Sequence, residues 1–113
     1  MKIIKEKDYI LLETPPEFEA LKLFSNEKAE FLRIKFEKGG FFRKHISPVD
    51  VWIYVIEGKG IAEGEDKKEE IVRGDLIFSP AGNPHKIVNT GGGFLEILIV
   101  KIPKSEKPVT FLE

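Results

Sequence analysis

Cysteine and glutamine are both missing from this 113-residue sequence, and histidine occurs only twice. Without a thiol there is no disulfide framework, no thiolate zinc site and no cysteine nucleophile. Long hydrophobic runs are missing too. The longest apolar-rich stretch, FLEILIVKI (94–102), falls well short of a bilayer crossing, so no membrane partner is expected. The opening MKIIKEKDYI holds no apolar segment long enough for a secretory signal, so a cytoplasmic location is expected. Nor does one sign of charge dominate. The 18 basic residues are dispersed among 19 acidic ones, for a net charge of -1, and no basic block offers a phosphate-binding face. Nucleic acid is therefore not an expected partner.

What is present describes a globular protein. Hydrophobic residues make up 42% and charged residues 33%, and the length suits one packed core rather than two. A single domain over residues 1–113 is expected, with 1–18 as an N-terminal extension or edge strand. The charge is almost entirely Lys and Glu, a bias that heat-adapted proteins show as ion-pair networks gain value, and a thermophilic origin follows.

Period-two patterning dominates the chain. EALKLF (19–24) and EFLRIKF (30–36) are strand-compatible runs separated by Ser25-Asn26-Glu27-Lys28, a turn by composition. In the second run Leu32, Ile34 and Phe36 share one parity and Arg33, Lys35 and Glu37 the other, the alternation of a half-buried strand. VWIYVIEGKG (51–60) runs into Gly58 and Gly60, and IAEGEDKKEEIV forms a hairpin over a polar Asp66-Lys67-Lys68 tip. DLIFS (75–79), HKIVN (85–89) and FLEILIVKI follow, punctuated by Pro80, Gly82 and Pro84 and then by Gly91-Gly92-Gly93. Many short strands with Gly/Pro turns predict an all-β sandwich or barrel. VWIYVIE is apolar on both parities, and so is LEILIVKI apart from Glu96 and Lys101. A strand apolar on both faces is covered twice. In a domain this small the second cover is expected to be another subunit, giving a homodimer, ahead of the N-terminal 24 residues folding over that face.

Both histidines sit in spaced patterns. Gly74-x5-Pro80-x-Gly82-x2-His85-x3-Asn89 matches every fixed position of the second signature motif of the cupin superfamily. Over 39–60 the chain has Gly39, His45 after five residues, Ser47 two later, Val51 after three more and Gly58 after six. That spacing resembles the first cupin motif. The two stretches, 39–60 and 74–89, identify the chain as similar to a small single-domain cupin. The resemblance implies a double-stranded β-helix, or jelly-roll, barrel with His45 and His85 facing one cavity. Metal-binding cupins hold iron, manganese, nickel, zinc or copper there with three histidines and a glutamate.

This sequence departs from that set. The second histidine falls on Ser47 and the glutamate on Val51. Two ligands in place of four remove most of the affinity for a divalent transition metal, which is expected to bind weakly or not at all. Asp50 is a weak third candidate, because strand parity with Val51, Ile53 and Val55 inward turns it outward with Trp52 and Tyr54. The expected ligand-binding residues are His45, Ser47, His85 and Arg43, the last as a cation for an anionic ligand. His45 and His85 are also the candidate catalytic residues. The leading reading is a cupin barrel binding a small molecule at a degenerate metal site. One alternative is a metal-dependent dioxygenase or isomerase using His45, His85 and Asp50; another is a structural or regulatory dimer.

Overall fold

The computed structural model describes residues 1–113. Eleven strands form two antiparallel sheets: β1 (Ile10–Leu11), β2 (Glu19–Ser25), β3 (Glu30–Phe36), β4 (His45–Ile46), β5 (Asp50–Glu57), β6 (Lys59–Glu63), β7 (Lys68–Val72), β8 (Leu76–Ser79), β9 (Pro84–Asn89), β10 (Leu95–Ile102) and β11 (Thr110–Phe111). One sheet runs β1-β2-β3-β10-β5-β8 and the other β11-β4-β9-β6-β7. The only helix is a single 3-10 turn, Glu6–Asp8. No helix is long and apolar enough to cross a membrane.

Local chemistry explains the elements. Asn26 closes the β2–β3 turn, its Oδ1 accepting from the N–H groups of Lys28 and Ala29 at 2.9 and 3.1 Å, the Asx geometry that suits this residue to turns. Gly58 joins β5 to β6 at φ +88°, and a Cβ there would collide with the Phe94 carbonyl oxygen. Only glycine serves at such a position. β5 takes the parity expected for Val51: Val51, Ile53 and Val55 are buried, while the equally apolar Trp52 and Tyr54 are exposed. β10 does the same with Leu95, Ile97 and Ile99 inward. These side chains meet Ile34, Phe36, Ile71 and Ile87 in one core between the sheets. The all-β expectation holds, and the paired sheets form the expected jelly-roll barrel.

The outer face of the larger sheet is covered only in part. The N-terminal segment reaches β3 there, where Arg33 faces the Tyr9 ring at 5.7 Å and Glu6 at 3.7 Å. At the other end, Trp52 and Phe78 stack at 4.4 Å and stay exposed beside Tyr54 and Leu76.

Candidate functional site

The site begins with a strand register. β4 and β9 pair antiparallel with His45 directly opposite His85. Cross-strand partners project to the same face, and here the two imidazole centroids lie 4.2 Å apart. Both line a cavity of about 360 Å³ inside the barrel. Its walls include Leu32, Ile34, Ile99, Phe18 and Phe42, and it is closed by residues 12–18 and by Val109 and Phe111 of the C-terminal segment. Phe18 and Phe42 pack edge to face at 4.8 Å on the cavity wall, with Phe36 behind them, edge to face with Phe42 at 4.9 Å and tilted against Phe18 at 5.8 Å. His45 is held between Phe42 and Phe111, at 5.8 and 6.0 Å.

Each imidazole is oriented by a hydrogen bond at Nδ1. His45 Nδ1 lies 2.7 Å from the Arg43 carbonyl oxygen. A carbonyl only accepts, so Nδ1 carries the proton and Nε2 of the neutral ring is an acceptor. His85 Nδ1 shares a hydrogen bond of 3.0 Å with Ser79 Oγ, a buried hydroxyl on β8. Burial pushes the His85 pKa down to about 4, helped by the charges of His45 and Lys101 and opposed by a backbone hydrogen bond at Asn83. Burial also lowers His45, against the hydrogen bond to Arg43 and together with the Lys101 charge. At neutral pH the pair is uncharged.

The remaining sequence candidates are distributed unevenly. Val51 is buried and lines the cavity, where the family pattern has a carboxylate. Ser47 also lines it, but its hydroxyl donates to the Val49 carbonyl at 2.9 Å and accepts from the Val49 N–H at 3.2 Å. That hydroxyl is occupied in starting a strand. Arg43 lines the cavity from an exposed position, its guanidinium 4.0 Å from the Phe111 ring centre. Asp50 is not brought to the imidazoles. Its Oδ1 accepts from the Ala81 N–H at 2.9 Å, securing the β8–β9 turn, and it does not line the cavity. The reason is the parity that puts Val51 inward.

Lys101 lines the same cavity, on β10 opposite Val51. Burial lowers its pKa, opposed by Glu30. Lys101, Ser79, Glu17 and Phe111 were not singled out from the sequence as site residues. For Lys101 a signal existed, since it shares the parity of Leu95, Ile97 and Ile99 and is the one charge on that inward row. Asn89, the last position of the second motif, is not a cavity residue. It is buried, and its Nδ2 lies 2.8 to 3.1 Å from the carbonyls of Phe36, Glu37 and Gly93, while Oδ1 accepts from Gly91 N–H at 3.0 Å.

The donor set does not fit the metal that the fold family implies. No group of three or more His, Asp or Glu side chains is positioned to hold a metal ion. Apolar Val51 and the ammonium of Lys101 border the imidazole pair where a cation needs carboxylates.

Comparison with known proteins places this geometry. A cupin-domain family model matches residues 32–101. An oxalate-binding protein of Thermotoga maritima is 33% identical over 79 residues, covering 68% of this chain and 64% of that protein. An uncharacterized protein of Methanocaldococcus jannaschii is 37% identical over 60 residues, covering 53% of this chain. This chain thus spans 47% and 64% of the lengths of those two curated relatives. Among solved structures, a predicted oxalate decarboxylase from Thermotoga maritima superimposes with a TM-score of 0.81 at 27% identity, covering 91% of this chain and all of that one. The polyketide cyclase RemF from Streptomyces resistomycificus does so with a TM-score of 0.83 at 24% identity, over 100% of this chain and 86% of that one. With both motifs, the barrel and the family match in agreement, the chain belongs to the cupin family.

Proposed function

We propose that residues 1–113 act as one cupin domain that binds a small organic molecule in the barrel cavity without a resident transition metal. The carrying observation is the cavity itself: about 360 Å³, walled mostly by hydrophobic side chains, with His45 and His85 side by side. A concave apolar site with a few convergent polar groups is the usual form of a small-molecule site. The relatives named for oxalate binding and oxalate decarboxylation support a small-molecule ligand. In this reading His45, His85 and Arg43 contact the ligand, and Ser47 shapes the wall. The metal-dependent dioxygenase or isomerase reading loses support because Asp50 is held by Ala81.

Two measurements test the proposal. Elemental analysis of untagged protein purified without chelator should find far less than one transition-metal atom per chain. Metabolite screening by methyl NMR should return compounds that shift Leu32, Ile34 and Ile99, all on the cavity wall. A near-stoichiometric metal that disappears in His85→Ala would overturn the proposal in favour of the metal enzyme.

Self-association belongs to the same proposal. Trp52, Tyr54, Leu76 and Phe78 form an exposed apolar patch on adjacent strands β5 and β8. Monomers rarely leave such a patch open, and a second copy of this chain is the occupant that the doubly apolar strand pattern supports.

A further inference from the structure

We propose that the cavity takes an organic acid bearing a hydroxyl next to its carboxylate, with the carboxylate seated at Lys101 and the hydroxyl donating to Nε2 of His45. The inference rests on the reading of the cavity as a ligand site and gives that ligand a chemical class.

Lys101 carries the first half. Its side chain lines the cavity yet makes no ion pair within 4 Å, because every salt bridge in the chain involves other residues. The nearest candidate partner by register is Glu30, its cross-strand neighbour on β3. That carboxylate instead faces the Ser25 hydroxyl at 3.4 Å. A half-buried ammonium whose one acidic influence, Glu30, makes no ion pair within 4 Å is incompletely compensated, and an anion in the cavity improves that balance. On its other side Lys101 pairs with Val51. Valine stands where a carboxylate would neutralise the lysine, so at this point of the wall the charge logic is inverted: beside Lys101 the cavity suits an anion, while the carboxylates that line it, Glu13 and Glu17, come from the N-terminal segment.

His45 carries the second half. Its Nδ1–H is spent on the Arg43 carbonyl, so the neutral ring presents Nε2 as a lone-pair acceptor. A neutral imidazole in this tautomer does not receive a carboxylate; it receives a hydroxyl proton. A ligand offering both an anion and an adjacent hydroxyl satisfies lysine and imidazole together. Glu17 fixes the orientation. It lines the wall contributed by the N-terminal segment, and its Oε2 is buried without a hydrogen-bond partner. A second carboxylate is repelled there, so the acid end belongs at Lys101. The body of the ligand lies against Leu32, Ile34, Phe18 and Ile99 and is apolar.

Isothermal titration with phenyllactate, its primary amide and phenylpropanoate separates the parts. Phenyllactate should bind tightest, and both loss of charge in the amide and loss of the hydroxyl in phenylpropanoate should weaken binding. Lys101→Met should weaken phenyllactate about 10- to 100-fold, the scale of a lost charged hydrogen bond, and weaken the amide far less. Lys101→Arg should restore acid binding, which separates loss of charge from damage to the fold. Acid and amide binding equally well, or Lys101→Met binding the acid as wild type does, would overturn the inference while leaving the ligand cavity in place. If phenyllactate, mandelate and their amides all fail to shift the methyl groups of Leu32 and Ile99, the inference is overturned, and the reading beneath it falls only if the wider metabolite screen also returns nothing.

Discussion

Acidification should destabilise the fold through His85. In the folded chain this imidazole is 8% exposed, and burial first, then the charges of His45 and Lys101, push its pKa to about 4 from 6.5. In the unfolded chain it returns to 6.5. Between those values the unfolded chain takes up a proton that the folded chain refuses, so stability falls as pH falls. The contribution of His85 is fully present above pH 6.5, shrinks through the window below it, and is lost once pH passes about 4. Going from about pH 7 to about pH 5 removes roughly 2 kcal/mol by this route, a large fraction of the stability of a small domain. His45, also lowered by burial, adds in the same direction. Carboxylates respond to acid as well, so the diagnostic quantity is a difference. Urea unfolding of wild type and His85→Asn at both pH values supplies it. The variant should start less stable and lose roughly 2 kcal/mol less on acidification. Parallel losses in the two proteins would refute the reasoning, because the acid response would then come from other groups.

Asn89→Ala should cost about 3 kcal/mol in urea unfolding, since it removes a buried amide that ties Phe36, Glu37, Gly91 and Gly93 together; a loss below about 1 kcal/mol would deny the residue that role. Asn89→Asp should be worse, because a carboxylate would face three carbonyl oxygens. Replacing Trp52 and Phe78 together by serine should convert a dimer to a monomer in light scattering while leaving the circular dichroism spectrum intact; an unchanged mass would remove the β5–β8 face as the interface. Ser47→His combined with Val51→Glu should create cobalt binding at least about tenfold tighter than wild type, read from the visible absorbance of the bound ion. Equal affinities would mean that the cavity around His45 and His85 cannot present those side chains to a metal.

The parts of this molecule that were legible in the sequence are those governed by local rules. Alternation placed Leu32, Ile34 and Phe36 inward because the pleat has a period of two, and the glycines marked the turns: Gly58 and Gly82 take φ of +88° and +81°. The motif spacing brought out the two histidines, which the barrel pairs across β4 and β9. What escaped depends on distant chain segments meeting. β4 and β11 are two residues long, too short for periodicity to register, and β11 pairs with β4 from the far end of the chain. Glu17 and Phe111 reach the cavity only through such closure. Asp50 shows the opposite case, a residue with suitable chemistry whose carboxylate the fold spends on the Ala81 turn. Lys101 was visible as a charge on an apolar strand, but its meaning needed the third dimension.

The cavity wall is partly made of the chain's outermost strands. Phe111 and Val109 close one side, and Phe111 is secured by the register Thr110↔Ile46 and Phe111↔His45, by hydrogen bonds from Leu112 N–H to the Lys44 carbonyl and from Lys44 N–H to Glu113 Oε1, and by the Lys86–Glu113 ion pair at 2.7 Å. A two-residue strand of this kind opens far below the cost of global unfolding. On the proposed reading, residence of a ligand beside His45 would be tied to the fraying of one short strand rather than to breathing of the barrel. The time for which such a ligand stays would then be set by Thr110 to Glu113, residues that lie outside the buried core, so that exchange rate would be adjustable independently of the fold's stability.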